Sequence, residues 1–240
     1  MYKTLSGFSE HRTAHYVLHY RPDSAAARDI GLIAATQEDC FARITGALQV
    51  TPDVPLHYIL LESAGEAGQL YEQHTGTSIG PLNGCACFPD TVVAVYNDDV
   101  QCIGMHEDTH LIAQLVGDPW QGFIIEGLAM YMDGVWWSEP NELWVRRFLA
   151  DGRYVPLAQL MPNDGFFRVP CEVSYPIAGA FTRYLAETLG GLPVYLKRVY
   201  AADCDAEKEQ CLPALLGKPM AAIEEDFLRW VAGLPNLTQG

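Results

Sequence analysis

A chain of 240 residues can bury a sizeable core, either as one large domain or as a domain with a small helical appendage. Its net charge of −15 argues against a nucleic acid or an anionic membrane surface as partner, and no apolar run is long enough to span a membrane. The N-terminal segment shows no export signal, so we expect a cytoplasmic protein, while a secreted form trimmed from a longer precursor stays open.

Strand patterns occur only in the first hundred or so residues. Alternating or β-branched segments predict three strands, at residues 15–20, 56–63 and 91–97. A long amphipathic helix is predicted between the first two strands, after an N-cap at Ser24. A short helix is expected at about residues 67–74, so the first half of the chain mixes the two kinds of element.

Helices dominate the remainder of the chain. We expect Asp98 or Asp99 to cap a helix that ends at Gly117, and Asp118–Pro119 to open a second helix that stops near Gly134. Apolar periodicity predicts further helices at residues 140–150, 157–161, 175–189, 193–201 and 221–231.

This order of elements predicts an α+β fold rather than alternating βαβ units. A small N-terminal mixed sheet would be followed by a mostly helical C-terminal half. We place a soft domain boundary near residue 135. Residues 1–135 would hold the sheet and the two helices with the motifs described next, and residues 136–240 would form a helical subdomain that completes the functional cleft.

The most specific chemical signal is HEDTH at residues 106–110. Residues four apart share one face of a helix, so His106 and His110 project side by side, as two nitrogen ligands of one metal ion must. Glu107 points about one-third of a turn away, where it can take a proton from a water molecule at the metal instead of binding the ion. An ordinary pair of packed helices is the alternative interpretation.

A glutamate in the next predicted helix is the candidate third ligand. Glu126 stands between the apolar segments 123–125 and 128–129, where an unpaired carboxylate would be costly to bury. The turn at residues 117–119 allows the two helices to fold back on each other as a hairpin. Ligation of a Zn²⁺ ion therefore accounts for Glu126 better than the alternative, a salt bridge to an arginine.

HEDTH followed by EGLAMY at residues 126–131 resembles the gluzincin zinc metallopeptidases of the peptidase MA-like family, which are related to the aminopeptidase and leukotriene-hydrolase catalytic domain. The resemblance implies a thermolysin-like zincin domain that binds Zn²⁺ and hydrolyses a peptide or protein substrate, with Glu107 as general base on the zinc-activated water. Residues 174–191 are similar to the helix that carries the family's catalytic tyrosine. This implies that Tyr175 stabilises the oxyanion; simple packing at a helix start is the alternative.

The sequence also departs from the family's pattern in two places. Aminopeptidases of this branch carry a Gly-Ala-Met-Glu-Asn stretch on their edge strand, whereas the corresponding segment 80–97 contains no glutamate. We therefore expect that the protein is not a standard aminopeptidase and that this edge strand pairs with an extended peptide. Met130 stands where thermolysin-like enzymes have a second acid, which leaves Asp133 or Asp108 to orient the zinc ligands.

Two other classes of function stay open. One is a zincin-fold protein that serves as a binding or regulatory module, against which the intact Glu107 argues. The other is a zinc hydrolase that acts on a non-peptide bond, which the shape of the pocket would reveal. Trp136 and Trp137 could line a cleft for aromatic or aliphatic substrate side chains or could form core packing between the subdomains. No pattern in the sequence indicates an oligomeric state.

The seven cysteines are expected to be mostly reduced and buried. Cys204 and Cys211 bracket a polar loop that a disulfide could close. The CxC pair formed by Cys85 and Cys87 is only a weak indication of a metal site.

Overall fold

The computed structural model describes residues 5–119, 121–203 and 208–235, apart from the side chains of residues 208 and 209. The chain divides into two compact units, Met1–Leu115 and Val116–Gly240. This division falls earlier than the soft boundary near residue 135, so the helix that carries Glu126 belongs to the second unit.

The first unit contains a five-stranded mixed sheet. Its strands are β1 (Ser9–Arg12), β2 (Tyr16–Tyr20), β3 (Leu56–Leu61), β4 (Gly84–Cys87) and β5 (Thr91–Val95). They lie in the order β1-β2-β3-β5-β4, with β2, β3 and β5 parallel and each edge strand antiparallel to its neighbour. The three predicted strands are confirmed as β2, β3 and β5. Apolar patterns do not predict the two edge strands, because each is short and has no clear alternation. β4 lies within segment 80–97, where the resemblance implies an edge strand.

Three helices accompany the sheet in this unit. They are α1 (Ala25–Leu48), α2 (Ala64–Thr75) and α3 (Met105–Ala113). The first two begin at serine N-caps, Ser24 and Ser63, whose hydroxyl oxygens accept hydrogen bonds from backbone N–H groups of the first turn. Because α1 and α2 lie in connections between parallel strands, this half contains βαβ crossovers that the sequence interpretation does not anticipate.

Both faces of the sheet are covered. One face turns Tyr16 and Tyr58 toward α1 and α3, where Gln37 and Asp108 meet their hydroxyl groups. The other face packs Ile59 and its neighbours against α2. Burial on both faces explains why the parallel strands are apolar runs rather than strictly alternating segments.

The start of α3 corrects the predicted cap at Asp98–Asp99. The side-chain oxygen of Asn97 accepts hydrogen bonds from the backbone N–H groups two and three residues later, at 2.9 and 2.7 Å, which forms a turn instead of a helix start. Gly104 then adopts a φ of 134°, which side chains disfavour, directly before the first helical residue, Met105. HEDTH therefore lies within a helix of only nine residues.

The second unit is helical, with one short hairpin. Its helices are α4 (Gly122–Asp133), α5 (Asn141–Ala150), α6 (Leu157–Leu160), α7 (Asn163–Phe166), α8 (Cys171–Leu189), α9 (Leu192–Tyr195), α10 (Lys208–Leu216) and α11 (Met220–Gly233). A π-helical turn, Leu196–Tyr200, continues α9. The hairpin pairs β6 (Val135–Trp136) with β7 (Glu139–Pro140).

The predicted helices of this unit are confirmed, with shifted ends. α4 begins at Gly122 rather than at Pro119, because its N-cap is Gln121. α8 begins at Cys171, one turn before the predicted start at Tyr175. The sequence pattern does not predict α7, α10 or the hairpin, since each is short or lacks a clear apolar period. Among the described residues, no helix has both the length and the apolar character that crossing a bilayer requires.

Close packing between α4 and α8 explains why the Glu126 helix belongs to the second unit. Glycines lie at this contact on both helices. A Cβ at Gly127 would stand 2.5 Å from Thr182 Oγ1, and a Cβ at Gly179 would stand 2.7 Å from the Cβ of Met130. The two backbones can approach this closely only because neither glycine carries a side chain.

We expect Gly127→Ala to lower the free energy of unfolding by about 1–3 kcal/mol, because the new methyl group must displace the Thr182 hydroxyl and the Ala178 carbonyl. Urea unfolding followed by circular dichroism measures the change. Gly46→Ala on α1 is the control, since nothing lies within 4 Å of its added Cβ and alanine favours a helix. Equal effects of the two substitutions would contradict close packing at Gly127.

Candidate metal centre

His106 and His110 lie on successive turns of α3, as their spacing predicts. Their ring centroids are 5.0 Å apart and their planes meet at 84°. His110 is buried and His106 is half-buried. One ring nitrogen of each histidine and one carboxylate oxygen of Glu126 lie within 4.8 Å of one another. In the described part of the chain, these three side chains form a cluster that could hold a metal ion.

The chemistry of this donor set fits zinc. Two imidazole nitrogens and one carboxylate oxygen are a ligand combination of catalytic zinc sites, where a fourth position is kept for water or substrate. The same set of two histidines and one carboxylate also occurs at non-haem iron(II) sites. The donor set therefore limits the candidate metals to a few, which include zinc and iron(II).

Buried hydrogen bonds fix α3 on the first unit. Asp108 is fully buried, and its Oδ2 accepts hydrogen bonds from the Tyr16 hydroxyl at 2.5 Å and from Gln37 Nε2 at 2.9 Å. Gln37 Nε2 also lies 2.9 Å from the Tyr58 hydroxyl, and Gln37 Oε1 accepts from the backbone N–H of Gly104 at 2.9 Å. One side chain of α1 therefore holds the residue before α3 and the first turn of that helix. Sequence reasoning misses Gln37 because its partners are distant along the chain.

The structure gives Asp108 a role different from the one suggested by the sequence. Burial raises the pKa of Asp108 to about 7, against the hydrogen bonds from Tyr16 and Tyr58 that lower it. Its Oδ1 has no hydrogen-bond partner among the described residues. Asp108 thus anchors the helix to α1 and β2 and does not orient a histidine. Asp133, half-buried at the end of α4, stays a prediction for that role.

Glu107 lies beside the edge strand β4. A Cβ added to Gly84 would stand 3.0 Å from Glu107 Oε1 and 2.4 Å from Cys102 Sγ. The missing side chain at Gly84 therefore leaves room for the Glu107 carboxylate next to the strand's backbone. Because β4 is the last strand of the sheet, its outer edge has no strand partner in the described residues, which confirms the predicted edge strand.

Glu126 is half-buried on α4, and most of its apolar neighbours on the helix are buried, as predicted. The charge of this carboxylate acts on Tyr200, from the π-helical turn, and no sequence signal indicates this residue. Burial raises the pKa of Tyr200, and the charges of Asp118 and Glu126 add to this effect. Tyr200 therefore stays a neutral phenol.

Tyr175 is held between aromatic rings of the second unit. Its ring stacks on Phe166, with centroids 5.7 Å apart and planes at 3°, and meets Trp136 at 6.0 Å. The backbone carbonyl of Trp136 accepts a hydrogen bond from the Trp144 indole N–H at 2.8 Å. These contacts restrain the half-buried Tyr175, while its role as a hydrogen-bond donor to an oxyanion stays a prediction.

The two adjacent tryptophans have different environments. Trp136 packs on Tyr175, whereas Trp137 is 79% exposed at the tip of the hairpin. Trp137 and Ser138 both have a positive φ, 50° and 63°, at a turn where asparagine or glycine is usual. Trp137 is thus the member of the pair that is presented to solvent.

The structure describes some of the cysteines on which predictions were made. Cys211 is disulfide-bonded. Its expected partner, Cys204, lies outside the described residues. Cys85 and Cys87 on β4 are thiols and belong to no cluster of three metal-ligand side chains in the described ranges.

No model of a known protein family matches the chain, and no curated protein matches it. The resemblance to gluzincins therefore depends on HEDTH, EGLAMY and residues 174–191.

We expect Gln37→Met to lower the free energy of unfolding by about 2–4 kcal/mol, because the buried groups of Asp108 and Gly104 lose their partner while the shape is retained. Urea unfolding followed by circular dichroism provides the measurement. Gln69→Met on the exposed side of α2 is the control and should change this free energy by less than about 0.5 kcal/mol. If Gln37→Met lowered the free energy of unfolding no more than Gln69→Met, the hydrogen bonds of Gln37 would not be what fixes α3 on the first unit.

Proposed function

We propose that this chain is a zinc-dependent metallopeptidase of the gluzincin type, built on a thermolysin-like zincin domain. The observation that carries the proposal is the approach of three ligand-type atoms, from His106, His110 and Glu126, within 4.8 Å of one another. Glu107 follows the first of these ligands on the same helix. An ordinary pair of packed helices gives no reason for a carboxylate to join two histidines.

The three residues would hold zinc through two nitrogens and one oxygen. Bound there, zinc would polarise the scissile carbonyl and lower the pKa of a water molecule. Glu107 would accept the proton of that water and pass it to the leaving amine. The Tyr175 hydroxyl would donate a hydrogen bond to the oxyanion, and one such donor typically changes the rate by about 10²–10³.

The anchored helix supports this assignment of roles. Successive residues on a helix point in different directions, so the direction of one side chain determines those of its neighbours. With Asp108 fixed toward α1 and β2, the two histidines share a second face of α3, and Glu107 lies against β4. A general base must keep a fixed position beside the reacting water, and this packing supplies it.

The edge strand supports an extended peptide as substrate. The outer edge of β4 can pair with a peptide backbone, next to the Glu107 carboxylate. None of the residues Gly84–Cys87 is acidic, so the strand offers no carboxylate for a free N-terminal amine. We therefore propose that the enzyme cleaves inside the substrate chain and does not remove N-terminal residues one at a time.

We expect the purified protein to retain about one zinc ion per chain, since the three ligands form one site. Mass spectrometry of the metals should show loss of zinc in His106→Ala, His110→Ala and Glu126→Gln, while Glu107→Gln keeps it. His74→Ala, which removes an exposed histidine of α2, is the control. Iron is measured in the same samples, and one iron ion in place of zinc would contradict the proposed metal. So would unchanged zinc in the three ligand variants.

We expect zinc-loaded protein to cleave members of a diverse peptide library, and Glu107→Gln to lower the rate by about 10²–10⁴, because the general base is lost. Mass spectrometry identifies the cut positions. Glu72→Gln, on the exposed side of α2, should cleave as the parent does. Equal cleavage by parent and Glu107→Gln, or none by either, would overturn the peptidase proposal. Stepwise release of N-terminal residues would contradict cleavage inside the chain.

A further inference from the structure

A cavity of about 570 Å³ lies in the second unit, lined by residues of α8, α10, α11 and the π-helical turn. None of the candidate metal-site residues lines it. Its volume falls within the range of about 300–1,000 Å³ that is usual for small-molecule sites. Aliphatic, aromatic and cationic side chains share its wall, and this combination indicates the kind of ligand.

Three cationic side chains and one carboxylate line the cavity, although the whole chain carries a net charge of −15. Arg198, Lys218 and Arg229 line the cavity together with one carboxylate, Asp226. Asp226 accepts hydrogen bonds from Lys218 at 2.7 Å and from Arg229 at 3.0 Å, and Arg229 also donates to Glu225 at 2.8 Å. The hydrogen bond from Lys218 lowers the pKa of Asp226, so this acid stays ionised and offsets part of both charges.

Arg198 differs from the other two cations. Its side chain is exposed, and in the part of the chain that the structure describes its guanidinium makes no ion pair or side-chain hydrogen bond. It lies in the turn Leu196–Tyr200, which is π-helical, a rare conformation that is frequent at functional sites. An unpaired guanidinium presents a planar fork of N–H donors, which matches the two oxygens of a carboxylate.

The remainder of the wall suits a flat apolar group. The rings of Tyr184 and Trp230 lie 5.8 Å apart. The indole N–H of Trp230 donates to Glu187 at 3.0 Å, which restrains the ring. Leu189 and Ile223 add aliphatic surface. A flat body placed here would exchange water for aromatic and aliphatic contacts.

We propose that this cavity binds a small organic carboxylate with a flat apolar body, its carboxylate on Arg198 and its body against the aromatic and aliphatic wall. One negative charge suits the cavity better than the two of a phosphate monoester, because Asp226 repels additional negative charge. The proposal does not depend on the metal centre and would stand if the chain were not a hydrolase.

Isothermal titration of the whole chain with 1-naphthylacetate and with the neutral 1-naphthylacetamide tests the proposal. We expect the acid to bind at least about tenfold more tightly than the amide, since only the acid has a charge for Arg198. Arg198→Gln should weaken binding of the acid by about tenfold and leave the amide unchanged. Lys197→Gln is the matched control: it removes the same charge from an exposed neighbour outside the cavity wall and should alter neither affinity.

A second variant tests the location. Thr188 is exposed on the cavity wall, so Thr188→Trp should fill the space and abolish binding of both compounds, with folding verified by circular dichroism. Four results would each overturn the proposal: no binding of the acid up to its solubility limit, equal binding of acid and amide, equal effects of Arg198→Gln and Lys197→Gln, or parental affinity in Thr188→Trp.

Discussion

The buried carboxyl group of Asp108 is the constraint on which the chemistry of the first unit depends. A polar group without access to water must be hydrogen-bonded, and a strand tyrosine and a helix glutamine supply the donors. Once these bonds form, the rotation of α3 about its own axis is set. The face that both histidines share then has a fixed direction, and Glu107 lies beside the edge strand. The spacing within HEDTH makes a metal site possible, and partners from β2 and α1 give the helix a defined orientation.

Glycines allow close approaches between elements in both units. On α4 and α8, glycines allow two backbones to approach closely, and these helices carry Glu126 and Tyr175. At the start of β4, Gly84 leaves room for the carboxylate of Glu107. The positions of candidate functional groups are thus determined as much by where the chain has no Cβ as by the groups themselves.

Residue patterns predict those helices and strands whose formation depends on residues close together in the chain. Apolar period and serine caps predict α1, and β-branched content predicts β5, because burial of one helix face or of a strand leaves a direct pattern. The start of α3 is mispredicted, because the side chain of Asn97 competes with the two aspartates for the same backbone groups. The spacing of the two histidines predicts that they share one face of a helix. The hydrogen bonds of Gln37 and the cavity beside Arg198 are formed by segments far apart in the chain, which a single sequence does not reveal.

The tip of the β6–β7 hairpin has a consequence for how this protein would respond to selection. Two residues with side chains, Trp137 and Ser138, hold backbone angles that glycine or asparagine would hold with less strain. A laboratory evolution experiment that rewarded only heat resistance would be expected to replace them early. The exposed indole of Trp137 is thus held at a turn position that selection for stability alone would not favour.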